Sequence, residues 1–301
     1  MNSSKFIPGL GSHQPALSLM LAAILWGLLW WPLRYFNDHG INALWSSVIA
    51  YSFALFPGFW LIRKQFKYLL LFPVSLLMIA ITSGLCNVSF IVAVAEKDAA
   101  RMVLLFYLSP IWSILLGVAV LRERPSMLAL SAAVLAMIGA VFMLYDPNKG
   151  TIWPRDLYDW LAIFSGLAFS VTNLLIRRLE QVPVAAKTFS SWLGVLIIAS
   201  AWIIISGWTS TSMSFPVISQ GIWLGLAALG LFGVTTMTLA VQYGVSRLPL
   251  FKSSIILVFE VVVTIVSSLL ILPEEHLLNL APYGAVCIVF AAILAGGTDE
   301  R

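Results

Sequence analysis

Val103 to Glu123 reads VLLFYLSPIWSILLGVAVLRE, uncharged as far as Leu121 and long enough to cross a bilayer as a helix. Ser254 to Glu274, SIILVFEVVVTIVSSLLILPE, has the same length, and a single offset of 151 (254 − 103 and 274 − 123) sets Glu274 on Glu123, Val261 on Pro110 and Glu260 on Ser109. A second alignment sets Leu161–Arg177 on Ser18–Arg34 at an offset of 143 (161 − 18 and 177 − 34), which places Asn173 on Trp30. Offsets near half of 301 residues indicate two structural repeats. In membrane proteins such repeats meet at a substrate site near the midplane.

The composition agrees. The chain is 60% hydrophobic and 10% charged, against roughly 25% charged in ordinary globular proteins, and its mean hydropathy is +0.97. Such a chain needs the bilayer as solvent. Ten apolar segments can be drawn, near 15–36, 42–62, 69–94, 101–121, 126–145, 157–177, 188–207, 219–245, 251–272 and 277–296. The expected fold is therefore all-α: a polytopic membrane protein of ten transmembrane helices in two inverted five-helix repeats, 1–150 and 151–301. The connectors are too short for an extramembrane catalytic domain.

Positive charge is retained on the cytoplasmic side. With both termini inside, only Arg34, Lys97, Arg101, Lys149 and Arg155 fall outside, leaving 17 − 5 = 12 Lys and Arg in the cytoplasm. The net charge of +4 is thus a topology signal, and no clustered basic surface suggests nucleic acid. Cys86 and Cys287 lie within predicted helices and read as packing residues. Met1–Ser18 leads into a long Trp-rich run ending in Pro32 and Arg34, read as a retained first helix rather than a cleaved signal.

Polar side chains carried into hydrocarbon are the candidates for function. Glu260 is the sharpest, an acid near the middle of helix 9, where an ionised carboxylate is costly unless it is paired, hydrated or protonated. The bland alternatives are a structural ion pair and a neutral hydrogen-bonded acid. Asn87 in helix 3 and Asn173 in helix 6 require partners. Helix 8 carries Thr238 and Gln242 one turn apart, with Tyr243 adjacent, and Thr238 falls on Asn87 at the offset of 151 (238 − 87). Trp26 and Trp30 share one face of helix 1, where an indole away from the interface needs a partner for its N–H. Pro110 removes a backbone donor in mid-helix, so helix 4 should kink near Tyr107 and open the centre. The expected substrate-binding set is Trp26, Trp30, Asn87, Tyr107, Asn173, Thr238, Gln242, Tyr243 and Glu260, with Pro110 as kink or gate. Helix 7, with Trp192 and Trp202, reads as lipid-facing scaffold. Helices 5 and 10 carry Ala and Gly stripes suited to close packing or a homodimer contact.

Ten helices in two halves, Trp26-Gly27 and Arg34 in helix 1, and Pro110 to Glu123-Arg124 echoed by Glu274 resemble the drug/metabolite transporter superfamily (EamA-like). Within it the chain looks most like YddG-type bacterial exporters of aromatic and other amino acids. That resemblance implies an inner-membrane protein exporting small zwitterions by alternating access, with no cofactor. Pro110 matches the helix-4 proline of the family, whereas Val261 stands at the equivalent place in the second repeat. An enzyme is not expected: the three histidines, His13, His39 and His276, lie near termini or loops, and no metal, phosphate-loop or nucleophile-elbow motif occurs. A passive channel and a transporter of drugs, lipids or another metabolite are the rival readings.

Overall fold

Backbone polar groups in hydrocarbon must bond within their own segment, so each uncharged run folds as a helix. The computed structural model describes residues 10–146, 153–207, 215–271, 278 and 280–297, and among these the regular structure is entirely helical. Lys149, Glu274 and His276 lie outside the described residues. Among the described residues nine helices are long and apolar enough to span a membrane: α1 His13–Asp38, α2 Ala43–Ile62, α3 Pro73–Glu96, α4 Ala99–Leu121, α5 Met127–Leu144, α6 Leu157–Arg178, α7 Val184–Gly207, α8 Gln220–Val245 and α9 Leu250–Ile271. The tenth, α10 Ala281–Ala295, is apolar but shorter.

Several of these helices are interrupted. Between Ala99–Phe106 and Ser109–Leu116, α4 breaks at Tyr107, because Pro110 cannot donate to the Phe106 carbonyl. α9 breaks at Val258, between Leu250–Leu257 and Phe259–Ile271. That break has no proline, yet it falls on Tyr107 at the offset of 151 (258 − 107). α1 breaks after Leu28, four residues before Pro32, where the reading of the sequence had a continuous helix. α8 widens into a π-helical stretch at Leu229–Val234.

Packing follows the small residues. α3 packs on α6 and α7, while α8 packs on α1 and α2; α4 lies against α6, and α9 against α1. α5 and α10 pack on each other through Gly139 and Gly284. A Cβ on Gly139 would stand 2.7 Å from the Gly284 oxygen, and one on Gly284 would stand 2.5 Å from the Gly139 oxygen. The small faces expected to offer a homodimer contact are consumed within the chain, because glycines that let two backbones touch leave no room for a third helix. Trp192 also departs from expectation. It is fully buried against Gly58, since that glycine opens a slot in α2 for the indole. Trp202, at 38% exposed, does face outward. Phe56, Phe59, Trp60, Leu224 and Phe232 form part of an exposed apolar exterior.

The two ends of the bundle differ in charge. One end, here the basic face, carries Arg177, Lys187, Arg247 and Lys252. At the other, Arg101 grips buried Asp159 through Nε at 3.0 Å and Nη2 at 2.6 Å, tying α4 to α6. Beside it Lys97 pairs with Asp156 at 2.7 Å. The hydrogen bond between them raises the Lys97 pKa and lowers that of Asp156, which also accepts from the Asp159 backbone. The signs define a window. The Asp156 contribution is present above its unfolded value of about 3.9 and is lost as pH falls through the lowered pKa. The Lys97 contribution is complete below about 10.4 and is lost as pH rises through the raised pKa. Both side chains are well exposed, so the pair is weak and screened. Lys97→Met should melt slightly below wild type at neutral pH in detergent. The two should converge as pH falls through the lowered Asp156 pKa and in 1 M salt, where the Debye length is about 3 Å.

Candidate functional site

The matched breaks in α4 and α9 bring Tyr107 and Glu260 together in mid-bundle. The Tyr107 hydroxyl faces the Glu260 carboxylate, but their hydrogen bond is not closed, and that hydroxyl is buried without a partner. Among the described residues no Lys, Arg or His forms an ion pair with Glu260. The Cys86 thiol of α3 lies within electrostatic reach of Glu260, and Tyr51 of α2 within reach of Cys86. Asn87 Nδ2 donates to Tyr51 Oη at 3.5 Å, leaving Asn87 Oδ1 buried and unpartnered. A carboxylate, a phenol and an amide oxygen thus offer acceptors to one central region.

Aromatic rings stand beside it. Trp26 of α1 meets Phe169 of α6 edge-on at 6.1 Å, Phe169 meets Phe106 at 5.5 Å, and Phe106 meets Phe90 of α3 at 5.1 Å. α6 approaches the α4 break closely because residue 166 is glycine: a Cβ there would lie 2.5 Å from the Phe106 oxygen, the carbonyl that Pro110 leaves without its usual donor. Ser170, one turn on, donates to the Ser109 oxygen at 2.9 Å. Opposite, Gly27 of α1 lies against the Glu260 carbonyl, where a Cβ would be 2.7 Å away.

The remaining predicted residues are spread along the bundle. Asn173 lies one turn from Phe169 towards the basic face, 2% exposed, with Nδ2 unpartnered. Gln242, also 2% exposed, donates to Ser191 Oγ at 3.1 Å and leaves Oε1 unpartnered. Ser83 bonds the same Ser191 hydroxyl at 3.1 Å, extending a polar line from Asn87 down α3 to α7 and α8. Thr238 is half-buried one turn before Gln242. Trp30 lies beyond the α1 break, its indole satisfied by Ser267 Oγ at 2.9 Å. Tyr243 is set apart from Glu260, at the basic mouth, bonded to Gln14 at 3.3 Å and stacked under Arg247 at 3.7 Å. Helical periodicity explains the difference: Tyr243 follows Gln242 by about 100° and so leaves its face.

Tyr51, Cys86, Phe169 and Ser191 were missed. Tyr51 sits in a helix that reads as scaffold, and Cys86 as packing. Phe169 had a usable signal, since it falls on Trp26 at the offset of 143 (169 − 26). Among the described residues no group of three or more His, Cys, Asp or Glu could hold a metal.

Spanning helices around a polar, aromatic-lined centre define a multi-pass membrane protein of the kind that moves small molecules across the bilayer. Residues 14–145 match the EamA-like transporter family. YojE of Bacillus subtilis strain 168, named an uncharacterized transporter, is 25% identical over 262 residues, 83% of this chain and 83% of its own. YicL of Salmonella typhimurium strain LT2, named an uncharacterized inner membrane transporter, is 24% identical over 238 residues, 68% of this chain and 77% of its own. A protein of known crystal structure superposes with a TM-score of 0.74 over 93% of this chain and 95% of that one, at 17% identity, which speaks to the fold alone. These findings support a multi-pass membrane transporter, with a small-molecule substrate and the lipid bilayer as its surroundings, whose residues 14–145 are similar to the EamA-like family.

Proposed function

We propose that the protein exports amino acids, aromatic and other small apolar ones, in the manner of YddG-type exporters. Two inverted five-helix repeats, 1–150 and 151–301, alternate access to the centre, with both termini in the cytoplasm of a bacterial inner membrane. The observation that carries the reading is the meeting of Tyr107 and an unpaired Glu260 at helix breaks in matching register. A carboxylate without a cation at mid-depth suits a substrate ammonium. The rings of Trp26, Phe106 and Phe169 suit its side chain, with stacking worth about 0.5–1.5 kcal/mol per pair beyond area burial. The unpartnered amide nitrogen of Asn173 suits its carboxylate.

Contacts that map onto each other support the repeats. Trp26 and Phe169, equivalent at 143, touch each other. Ser170 on the Ser109 carbonyl matches Gly27 on the Glu260 carbonyl (170 − 27 = 143 and 260 − 109 = 151). Breaks at equivalent positions are the natural hinges for swinging one half-helix against the other.

Counterflow in proteoliposomes tests the reading. Vesicles loaded with unlabelled phenylalanine or tryptophan should accumulate the labelled amino acid transiently, with saturation, and glycine should compete poorly. Conductance without saturation would indicate a channel. Exchange of a lipid or drug with no amino-acid exchange would remove the proposed substrate class while leaving the transporter fold in place.

A further inference from the structure

Where α6, α7 and α8 end at the basic face, a cavity of about 440 Å³ is lined by Arg177, Glu180, Lys187, Ser246 and Arg247, with Pro183 and neighbouring valines as its apolar wall. Its lining carries three cations and one carboxylate, 3 − 1 = +2. Lys187 is only 1% exposed. It donates to Ile176 O at 3.0 Å, Leu179 O at 3.3 Å and Ser246 Oγ at 2.7 Å. All three acceptors are neutral, so no carboxylate touches this buried ammonium. Those bonds satisfy carbonyls at the C-terminus of α6, where a cation also suits the helix dipole. The positive field at the back of the cavity is opposed only at a distance, by Glu180 at the rim.

The rim is built differently. The Arg247 guanidinium lies over the Tyr243 ring and donates to Tyr243 O at 3.1 Å, so it is held in place by neutral groups. Arg177 Nη1 donates to Glu180 at 2.7 Å, and the Glu180 carboxylate is 64% exposed. An exposed carboxylate on a mobile stem is a displaceable occupant. A phosphate offers three acceptor oxygens and more charge to the same arginine.

We propose that this cavity is an anion site for a phosphate ester, placed where the headgroup of an anionic phospholipid in the adjoining leaflet would lie, with Glu180 as its internal competitor. Arg177 and Arg247 bind the phosphate oxygens, Lys187 supplies the field, and the Pro183 wall takes the glyceryl portion. The site is some distance from Glu260 and does not rest on the amino-acid reading.

The test uses the full chain in detergent and in nanodiscs. Thermal unfolding is followed against inorganic phosphate, with chloride at equal ionic strength, and against phosphatidylglycerol in phosphatidylcholine nanodiscs. Native mass spectrometry counts retained lipid. Stabilisation by phosphatidylglycerol alone assigns a lipid headgroup; stabilisation by both probes assigns any phosphate ester. Loss of one charge-assisted contact in Arg247→Gln should weaken the apparent affinity about tenfold. Glu180→Gln, which removes the competitor, should tighten it about threefold or more. A merely structural cluster, in which Arg177 also lies 3.9 Å from Glu123, would not gain affinity on losing Glu180. No response to either probe, an equal response to chloride, or unchanged affinity in both variants would overturn the proposal.

Discussion

Glu260→Gln protein is expected to insert at wild-type levels, to melt close to wild type, and to exchange the proposed amino-acid substrates poorly. Glutamine keeps the size and the hydrogen-bonding reach of the side chain but cannot ionise. The cost of carrying a carboxylate into the bundle is therefore removed, together with its attraction for an ammonium. A charge-assisted hydrogen bond contributes about 1.5–3 kcal/mol, so losing it should weaken substrate binding about tenfold or more. The pH dependence of uptake should flatten at the same time, because the variant has no proton to exchange at this position. Tyr107, Cys86 and Tyr51 are the other titratable groups near Glu260. Normal exchange at every pH by a well-folded Gln variant would reduce Glu260 to a structural acid.

Gly194→Ala has the largest expected effect on stability. A Cβ there would lie 1.9 Å from the Ala80 oxygen, 2.3 Å from its carbonyl carbon and 2.5 Å from its Cα. All three are backbone atoms, so no side chain can turn aside, and α3 and α7 must separate. Separation would open the Ser83–Ser191 hydrogen bond of 3.1 Å and the polar line that runs from it to Gln242. Two effects oppose each other. Alanine favours the helix over glycine by about 1 kcal/mol, whereas overpacking at an unyielding contact costs about 1–3 kcal/mol or more. With backbone on the other side, the second should win. Gly221→Ala is the control: it also replaces glycine within a helix, but nothing lies within 4 Å of the added Cβ. Thermal unfolding in detergent should place Gly221→Ala at or above wild type and Gly194→Ala well below it. Equal melting of the two would mean that the helices do not cross this closely.

The contrast between these positions shows what kind of information each level holds. Sequence alone was enough for the solvent and the helix runs, because a chain that is 60% hydrophobic must hide every peptide group inside a helix. It was also enough for the depth of Glu260 along its own helix, and for the break at Tyr107, since a proline three residues on acts locally. Tertiary structure decided whatever depends on which faces meet. Trp192 became core because Gly58 in a different helix makes room for it. The stripes of α5 and α10 were used up on each other. The break at Val258 formed without a proline, and Tyr243 was left at the basic mouth while Phe169 joined Trp26 beside the site. None of these follows from distance along the chain. Helix propensity and hydropathy are sums over neighbours in sequence, whereas the rotation of each helix about its axis is set by contacts between residues 100 or more positions apart, such as Ser83 with Ser191 (191 − 83 = 108).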